Sequence, residues 1–307
     1  MGPLRRQGVR GNRRSLMSAY DLTLGTGQSA IRFDGGAGIV GARHGWGLQN
    51  LTDWMSLSDA KNDVNERALQ HGAFDPGQTT RQSALITATV AYVGSTVAEL
   101  EQAIYALNGL TAESAAPLRA TFRGAAGETH RDMTNIEITV PSHRGRSRLS
   151  DITIDMTAID PRAYGAESTN STGMAAHGGG LRFPLTFPVN FGTPGTDGRV
   201  RFTNTGTATT YLTLVVTGGM SQGFSLKRVE TGQTITISRP INMDDTVTLE
   251  TYYGTVLLNN QSSLSGFLTE YDWFQCPPGE TCTVQFTPLG TVTGTPTLTM
   301  TASPAWW

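Results

Sequence analysis

The stretch ITIDMTAIDPRAYG, residues 152–165, decides how the 307-residue chain is divided. Ile152, Ile154 and Met156 alternate with Thr153, Asp155 and Thr157, the period of a half-buried β-strand. Asp160-Pro161 ends it, because proline has no N–H for a ladder and fixes its own φ. Beyond Gly165 the composition changes. Residues 166–181 begin AESTNSTGMAAHGGG, small, polar and rich in glycine, and read as a linker. The expected division is a basic arm at 1–16, a first domain at 17–165, the linker, and a second domain at 182–307.

Upstream of the stop, residues 20–34 read as a hairpin broken by Gly25-Thr26-Gly27. Residues 35–80 show no sustained period and read as a long excursion, the kind of segment that usually carries function. It holds Trp46 and Trp54, which serve either as interface anchors or as the core of the excursion itself. Residues 84–93, ALITATVAYV, return to strand alternation. In the next segment, STVAELEQAIYALNG, Thr96 and Glu99 have the spacing of a capping box. Val97, Leu100, Ile104 and Leu107 share one helical face, and Gly109 stands where a helix would end. Strands follow at 117–123, 134–140 and 149–159.

Downstream, short alternating segments recur about every ten residues: 182–189, 199–204, 211–217, 224–230, 233–239, 245–251, 255–259, 282–287 and 296–302. With Gly, Asn and Pro between them and no helical period, they predict an antiparallel β-sandwich. The fold class is therefore mainly β, an α+β first domain with one helix followed by a sandwich.

Charge excludes one class of partner. Residues 1–15 carry five arginines and no acid, while 16–165 hold 12 Lys/Arg against 16 Asp/Glu and 166–307 hold 6 against 9. Neither domain presents the basic groove that grips nucleic acid. The arm reads as a disordered or partner-bound tail. No apolar run approaches the length of a membrane span, so no membrane partner is expected.

Catalytic patterns are weak throughout. GAGIVG, residues 36–41, fits the dinucleotide spacing, but more glycines and no apolar helical face follow it. His44, His71, His130, His143 and His177 share no metal spacing. DAKNDVNE, residues 59–66, lacks the glycine of a calcium loop. Asp244, Asp245, Glu270 and Asp272 read as turn and strand-end charges rather than an acid–base pair. The expectation is no enzyme, no metal and no cofactor. Cys276 and Cys282 flank a Pro-Pro-Gly turn in CPPGETC, where they form either a short disulfide or two half-buried thiols.

The order of elements carries a resemblance. A strand, the STVAELEQAIYALNGL helix, two strands and DITIDMTAIDPRAYG are followed by FTNTGTATTYLTLVVTGG, VETGQTITI, DDTVTLETYYGTVLLNN, YDWFQCPPGETCTVQF and TLTMTASPAWW. Over residues 18–307 this series resembles the distal tail (Dit) proteins, the siphovirus-type tail components of long-tailed, non-contractile phages. Its most specific mark is the ending Ile159, Asp160, Pro161, Tyr164, Gly165. The arginine arm and the two cysteines depart from the pattern.

The resemblance implies a tail-tube-like, two-sheet first domain that assembles into a ring, typically of six, and a galectin-like second domain. It implies the tail tube protein above and the hub or tip protein below as partners, with receptor-binding proteins anchored alongside. It also implies a place at the distal tip of the virion tail, after assembly in the host cytoplasm, with DNA passing through the lumen without sequence recognition. Trp306 and Trp307 then either pack back on the sandwich or meet a partner. Two other classes are weighed against this structural role. A carbohydrate-binding module would use an exposed aromatic such as Trp273 or Tyr253 on host cell-wall glycan. A tail-associated hydrolase would need carboxylates across a cleft, which the sequence does not signal.

Overall fold

The computed structural model describes residues 20–35, 44–62, 65–75, 77, 79–112, 117–176 and 195–307. The arginine arm at 1–16, the GAGIVG segment, the strand expected at 182–189, the last part of the linker and His177 lie outside the described residues. The chain forms two compact units, Met1–Pro161 and Arg162–Trp307.

The first unit contains β1 (Asp21–Leu24), β2 (Ile31–Asp34), β3 (Gly45–Thr52), β4 (Ala84–Val93), α1 (Val97–Ala112), β5 (Leu118–Gly124), β6 (Gly127–Thr139) and β7 (Arg148–Ala158). The strands run in the order β6-β5-β1-β2-β3-β4-β7, and β6 also pairs with β7, so the sheet closes on itself. One long strand achieves this closure. Its first half, from Gly127 to Met133, pairs with β5, and its second half, to Thr139, pairs with β7. Within the pairing with β7, which begins at Met133, the register slips from Thr134 to Glu137, and Asn135 takes a left-handed φ of 48°. Such a bulge bends a strand, here from one half of the sheet into the other.

The alternating residues fill the interior: Leu22, Phe33, Ile86, Val90, Phe122, Met133, Ile152, Ile154 and Met156 are all buried. Helix α1 packs on β4, β6 and β7 and buries Leu100 and Leu107. At its start Thr96 Oγ1 accepts the Glu99 N–H at 3.2 Å, and the Glu99 carboxylate accepts the Ser95 N–H at 2.9 Å. The first bond satisfies one of the donors a helix start leaves open, and the second ties the residue before the cap to the first turn.

Two expectations need correction here. Gly109 does not end the helix, which continues to Ala112. Leu110 extends the apolar face and packs against the core. Burial thus outweighs the roughly 1 kcal/mol that glycine costs a helix. The excursion expected from residue 35 contains a strand, β3, paired along its length with β4. Gly45 and Gly47 remove side chains from its pattern, and a register shift between Leu48 and Asn50 breaks its period.

The second unit contains β8 (Ala163–Tyr164), β9 (Ser168–Gly173), β10 (Arg199–Thr203), β11 (Thr213–Met220), β12 (Phe224–Arg228), β13 (Thr234–Ile237), β14 (Thr246–Glu250), β15 (Thr255–Leu258), β16 (Ser262–Ser263), β17 (Leu268–Tyr271), β18 (Thr281–Pro288), β19 (Val292–Ala302) and β20 (Ala305–Trp306). A five-stranded sheet, β10-β18-β12-β13-β17, faces a six-stranded one, β16-β15-β14-β11-β19-β9. Phe202, Leu214, Val216, Phe224, Ile235, Leu249, Phe286 and Met300 are among the side chains in the apolar core that they enclose. The stretch read as a linker supplies β9, which pairs with β19 from Ser168 opposite Ala302 to Gly173 opposite Thr297. Its Ser, Thr and Asn side chains carry no apolar period. An edge strand held by its backbone ladder and facing water needs none.

Candidate assembly surface

Between β3 and β4 the chain leaves the closed sheet and returns as an arm. It departs at Asp53, which adopts a left-handed φ of 62°, and at Trp54, which is buried. Trp54 fastens the root from several sides. Its indole N–H donates to Thr129 Oγ1 at 3.1 Å, and its ring lies 5.6 Å from that of Phe122. The Arg131 guanidinium sits 5.0 Å from the same ring and donates to the Trp54 carbonyl at 2.6 Å. Arg131 projects inward with Met133 on β6 and is only 1% exposed. Burial pulls its pKa down to about 10, partly offset by the field of Asp160. A guanidinium buried without a carboxylate in hydrogen-bond contact is costly. Here the face of an indole and a carbonyl stand in for water.

Beyond the root the arm is a ragged hairpin. Ala60 bridges Arg81 and Glu66 bridges Ala73, with Lys61 N–H donating to Thr80 O at 2.9 Å and Phe74 N–H to Asn65 O at 2.9 Å. Its apolar residues point to solvent: Leu69 is 98% exposed, Met55 75% and Phe74 61%. Arg67 lies over the Phe74 ring at 5.3 Å. Isolated exposed apolar residues are ordinary; here three fall on one hairpin. Trp46, the other tryptophan of the excursion, packs edge-on against Phe33 and Tyr92 at 5.4 and 4.9 Å. Both tryptophans therefore belong to the body of the first unit, and the apolar tip is made of residues that periodicity did not single out.

In the second unit, Trp273 is half-buried against the core beneath Gly254, whereas Tyr253 is 71% exposed. Tyr253 stacks edge-on with Tyr252, and Tyr252 with Tyr211. Behind them the buried Arg162 lies 5.0 Å from Tyr211, 5.5 Å from Tyr252 and 5.6 Å from Tyr164, and donates to Thr209 O at 2.8 Å. Only strand parity would have marked Arg131, and no local pattern joins Arg162 to tyrosines far along the chain. Trp306 pairs in β20 with Ala163 and covers Gly165, while Trp307 is half-exposed and donates its N–H to Thr207 Oγ1 at 3.2 Å. Cys276 and Cys282 are both buried, and their thiols are free.

Two of the four carboxylates singled out in the sequence are held in structural contacts. Asp245 accepts from Asn242 and Asn259 in a turn, and Glu270 accepts from Thr236 at 2.6 Å. Among the described residues no three His, Cys, Asp or Glu side chains come together as a metal site, and no helix is long and apolar enough to cross a membrane.

The comparisons with known proteins agree on architecture. Residues 205–302 match the siphovirus-type tail component, C-terminal domain. The Dit protein (gp 19.1) of phage SPP1, described as a paradigm of the hub adsorption apparatus, has a similar structure at TM-score 0.57 and 14% identity, over 86% of this chain and 94% of its own. A chain of the phage p2 baseplate, activated with Sr, aligns at TM-score 0.52 and 10% identity over 92% and 97% of the two chains. The corresponding Ca-bound baseplate aligns at 0.50 with the same identity. Nothing among curated protein sequences matches the chain. Residues 205–302 are thus similar to the siphovirus-type tail component, C-terminal domain, within a chain that shares the fold of the SPP1 Dit protein.

Proposed function

We propose that this protein is a structural component of a long, non-contractile phage tail, built into a ring of six copies at its distal end. In this reading the ring joins the tail tube to the hub or tip and gives receptor-binding proteins an anchorage. The observation that carries it is the fold shared over most of the chain with the SPP1 Dit protein and a chain of the phage p2 baseplate. The arm supplies a physical means of assembly. Its root is fixed by Trp54 and Arg131 while Leu69, Met55 and Phe74 remain exposed, as expected of a hairpin that is buried only by a neighbouring copy. The acidic balance of residues 16–165, 12 Lys/Arg against 16 Asp/Glu, suits a lumen through which DNA slides. The role needs no catalysis.

The test is the mass of the purified protein by light scattering or native mass spectrometry, with negative-stain imaging, alone and after mixing with tail tube protein. A closed ring of about six copies, with the arm-tip variant L69S/F74S failing to close, supports the proposal. A protein that stays monomeric in both settings overturns it.

A further inference from the structure

In the second unit three connections between strands enclose a cleft that the assembly role does not use. Its volume is about 380 Å³, and Ser221, Gln222, Ser238, Arg239, Pro240 and Leu289 line it. That size falls within the roughly 300–1,000 Å³ typical of small-molecule sites. The lining comes from the turn between β11 and β12, the stretch after β13, and the turn between β18 and β19. Backbone bonds tie these walls together. Ser221 N–H donates to Thr291 O at 3.0 Å and Leu289 N–H to Gly223 O at 2.8 Å, while Met220 and Ile241 exchange two bonds of 2.9 Å. Two glycines permit the close approach. A Cβ at Gly223 would lie 1.9 Å from Ile237 O, and one at Gly290 would lie 2.3 Å from Ser221 Oγ and 2.8 Å from Gln222 Cγ. The cleft is therefore preformed by turns locked on one another.

Arg239 gives the cleft its charge. Its guanidinium lies 5.1 Å from the centre of the Phe267 ring, a contact that steadies the group without using its N–H donors. Among the described residues it makes no hydrogen bond or ion pair. The nearby Asp245 is engaged elsewhere: it accepts the Asn242 N–H at 3.0 Å and the side-chain amides of Asn242 and Asn259 at 2.8 and 3.1 Å. Among the described residues lining the cleft, Arg239 is the one charged group, and its planar fork matches a single carboxylate in two parallel bonds. Neutral polar groups surround it. Ser221 Oγ accepts the Thr291 N–H at 2.7 Å and keeps its own proton to donate. Ser238 Oγ shares one bond with Thr269 Oγ1 at 3.2 Å, and Gln222 adds an amide. Leu289 and Pro240 supply an apolar wall. One fork for an anion, several hydroxyl partners and a small apolar surface suit a carboxylate carried on a polyhydroxylated ring. Ser221, Gln222, Ser238 and Pro240 are exposed, so a chain attached to that ring can run out into water.

We propose that this cleft binds the acidic sugar at the end of a glycan chain, its carboxylate on Arg239 and its hydroxyls on Ser221, Ser238 and Gln222. The charge-assisted fork supplies most of the affinity, and the neutral partners tell a sugar acid from a simple carboxylate. The site lies away from Trp273 and Tyr253, the aromatics that the sequence offered for glycan binding, and it needs no exposed ring.

The experiment titrates the purified full chain at low salt with methyl glucuronide, whose blocked anomeric oxygen stands for the rest of a glycan. Saturation-transfer NMR reads the sugar signals, with methyl glucoside, acetate and glycerol phosphate as comparisons. The expected Kd is on the order of 1 mM, with the glucoside, acetate and glycerol phosphate each weaker by at least about tenfold. R239Q should keep the wild-type circular dichroism and bind the glucuronide about tenfold more weakly or worse. Q222W, which fills the cleft from an exposed turn position, should abolish binding with Arg239 intact. No saturation transfer to the glucuronide overturns the proposal, as does binding that survives in both variants. Acetate or glycerol phosphate binding as tightly as the glucuronide also overturns it, since the cleft would then read any carboxylate or a phosphate. The sugar signals report on the chain in any assembly state, so the outcome does not depend on whether the protein forms rings.

Discussion

Replacing Trp54 with alanine tests the root of the arm. The side chain is 4% exposed, touches Phe122 and Arg131, and donates to Thr129. Truncating a buried tryptophan to alanine costs about 3–5 kcal/mol. Within that, the cation–π contact accounts for on the order of 1–2 kcal/mol and the hydrogen bond for about 1 kcal/mol. Arg131 moderates the loss. Its pKa, drawn down by burial to about 10, means that keeping the buried group charged already costs on the order of 3 kcal/mol. Water entering the space left by the indole would relieve part of that cost. W54A should therefore lose about 3–4 kcal/mol. R131M sheds the desolvation cost together with a charge-assisted bond and the ring contact, so it should change stability by no more than about 1 kcal/mol. Urea unfolding followed by circular dichroism, with the transitions of the two units resolved, reads both variants. The reasoning fails if R131M costs more than W54A, or if W54A loses under 1 kcal/mol. The sign of the pH effect is a further check. In the folded state Arg131 loses its proton first, so the charging cost is present below about pH 10 and falls away above it. Wild type should gain on R131M as the pH rises through that value.

Further outcomes are expected. T96A should lose about 1 kcal/mol with the helix cap. The Ser95 N–H, with help from His44 and Tyr92, holds the Glu99 carboxyl below the usual carboxylate range. Its contribution is therefore full above the unfolded-state pKa and lost as pH falls through the folded one, so acid titration should bring wild type and E99Q together. N204A should lose about 3–5 kcal/mol by denaturant unfolding, because this fully buried amide donates to three carbonyls and accepts from the N–H groups of Gly206 and Ala305. G223A and G232A both place a side chain at positive φ, but only Gly223 has a backbone oxygen, that of Ile237, 1.9 Å from the new carbon. G232A should cost about 1 kcal/mol and G223A well over 2 kcal/mol, and equal melting temperatures would count against the packing described here. L69S/F74S should stay within about 0.5 kcal/mol of wild-type stability, since both side chains already face water, while losing the larger species in light scattering.

Much of this could be read locally. Strand β4, the Thr96–Glu99 cap, the stop at Asp160-Pro161 and most strands of the sandwich follow from period, capping chemistry and proline, which act between residues a few positions apart. Such signals say that a face will be buried, not what will bury it. Hence β3 was hidden by glycines and a register shift, and β9 by a polar edge whose stability comes from the ladder with β19. The arm was legible as a break in period, but its apolar tip was not, because exposed leucine and phenylalanine look the same in sequence as buried ones.

The sequence by itself determined a mainly β chain with one capped helix, a stop in the middle, no catalytic motif and an ordered series of phrases resembling tail components. Tertiary structure alone decided that β6 bends at Asn135 to close the first sheet and that Trp54 roots the arm on Arg131. The physical reason is range. Alternation and capping are fixed by neighbours along the chain, whereas closure and a buried cation's ring depend on which distant strands pair and in what register.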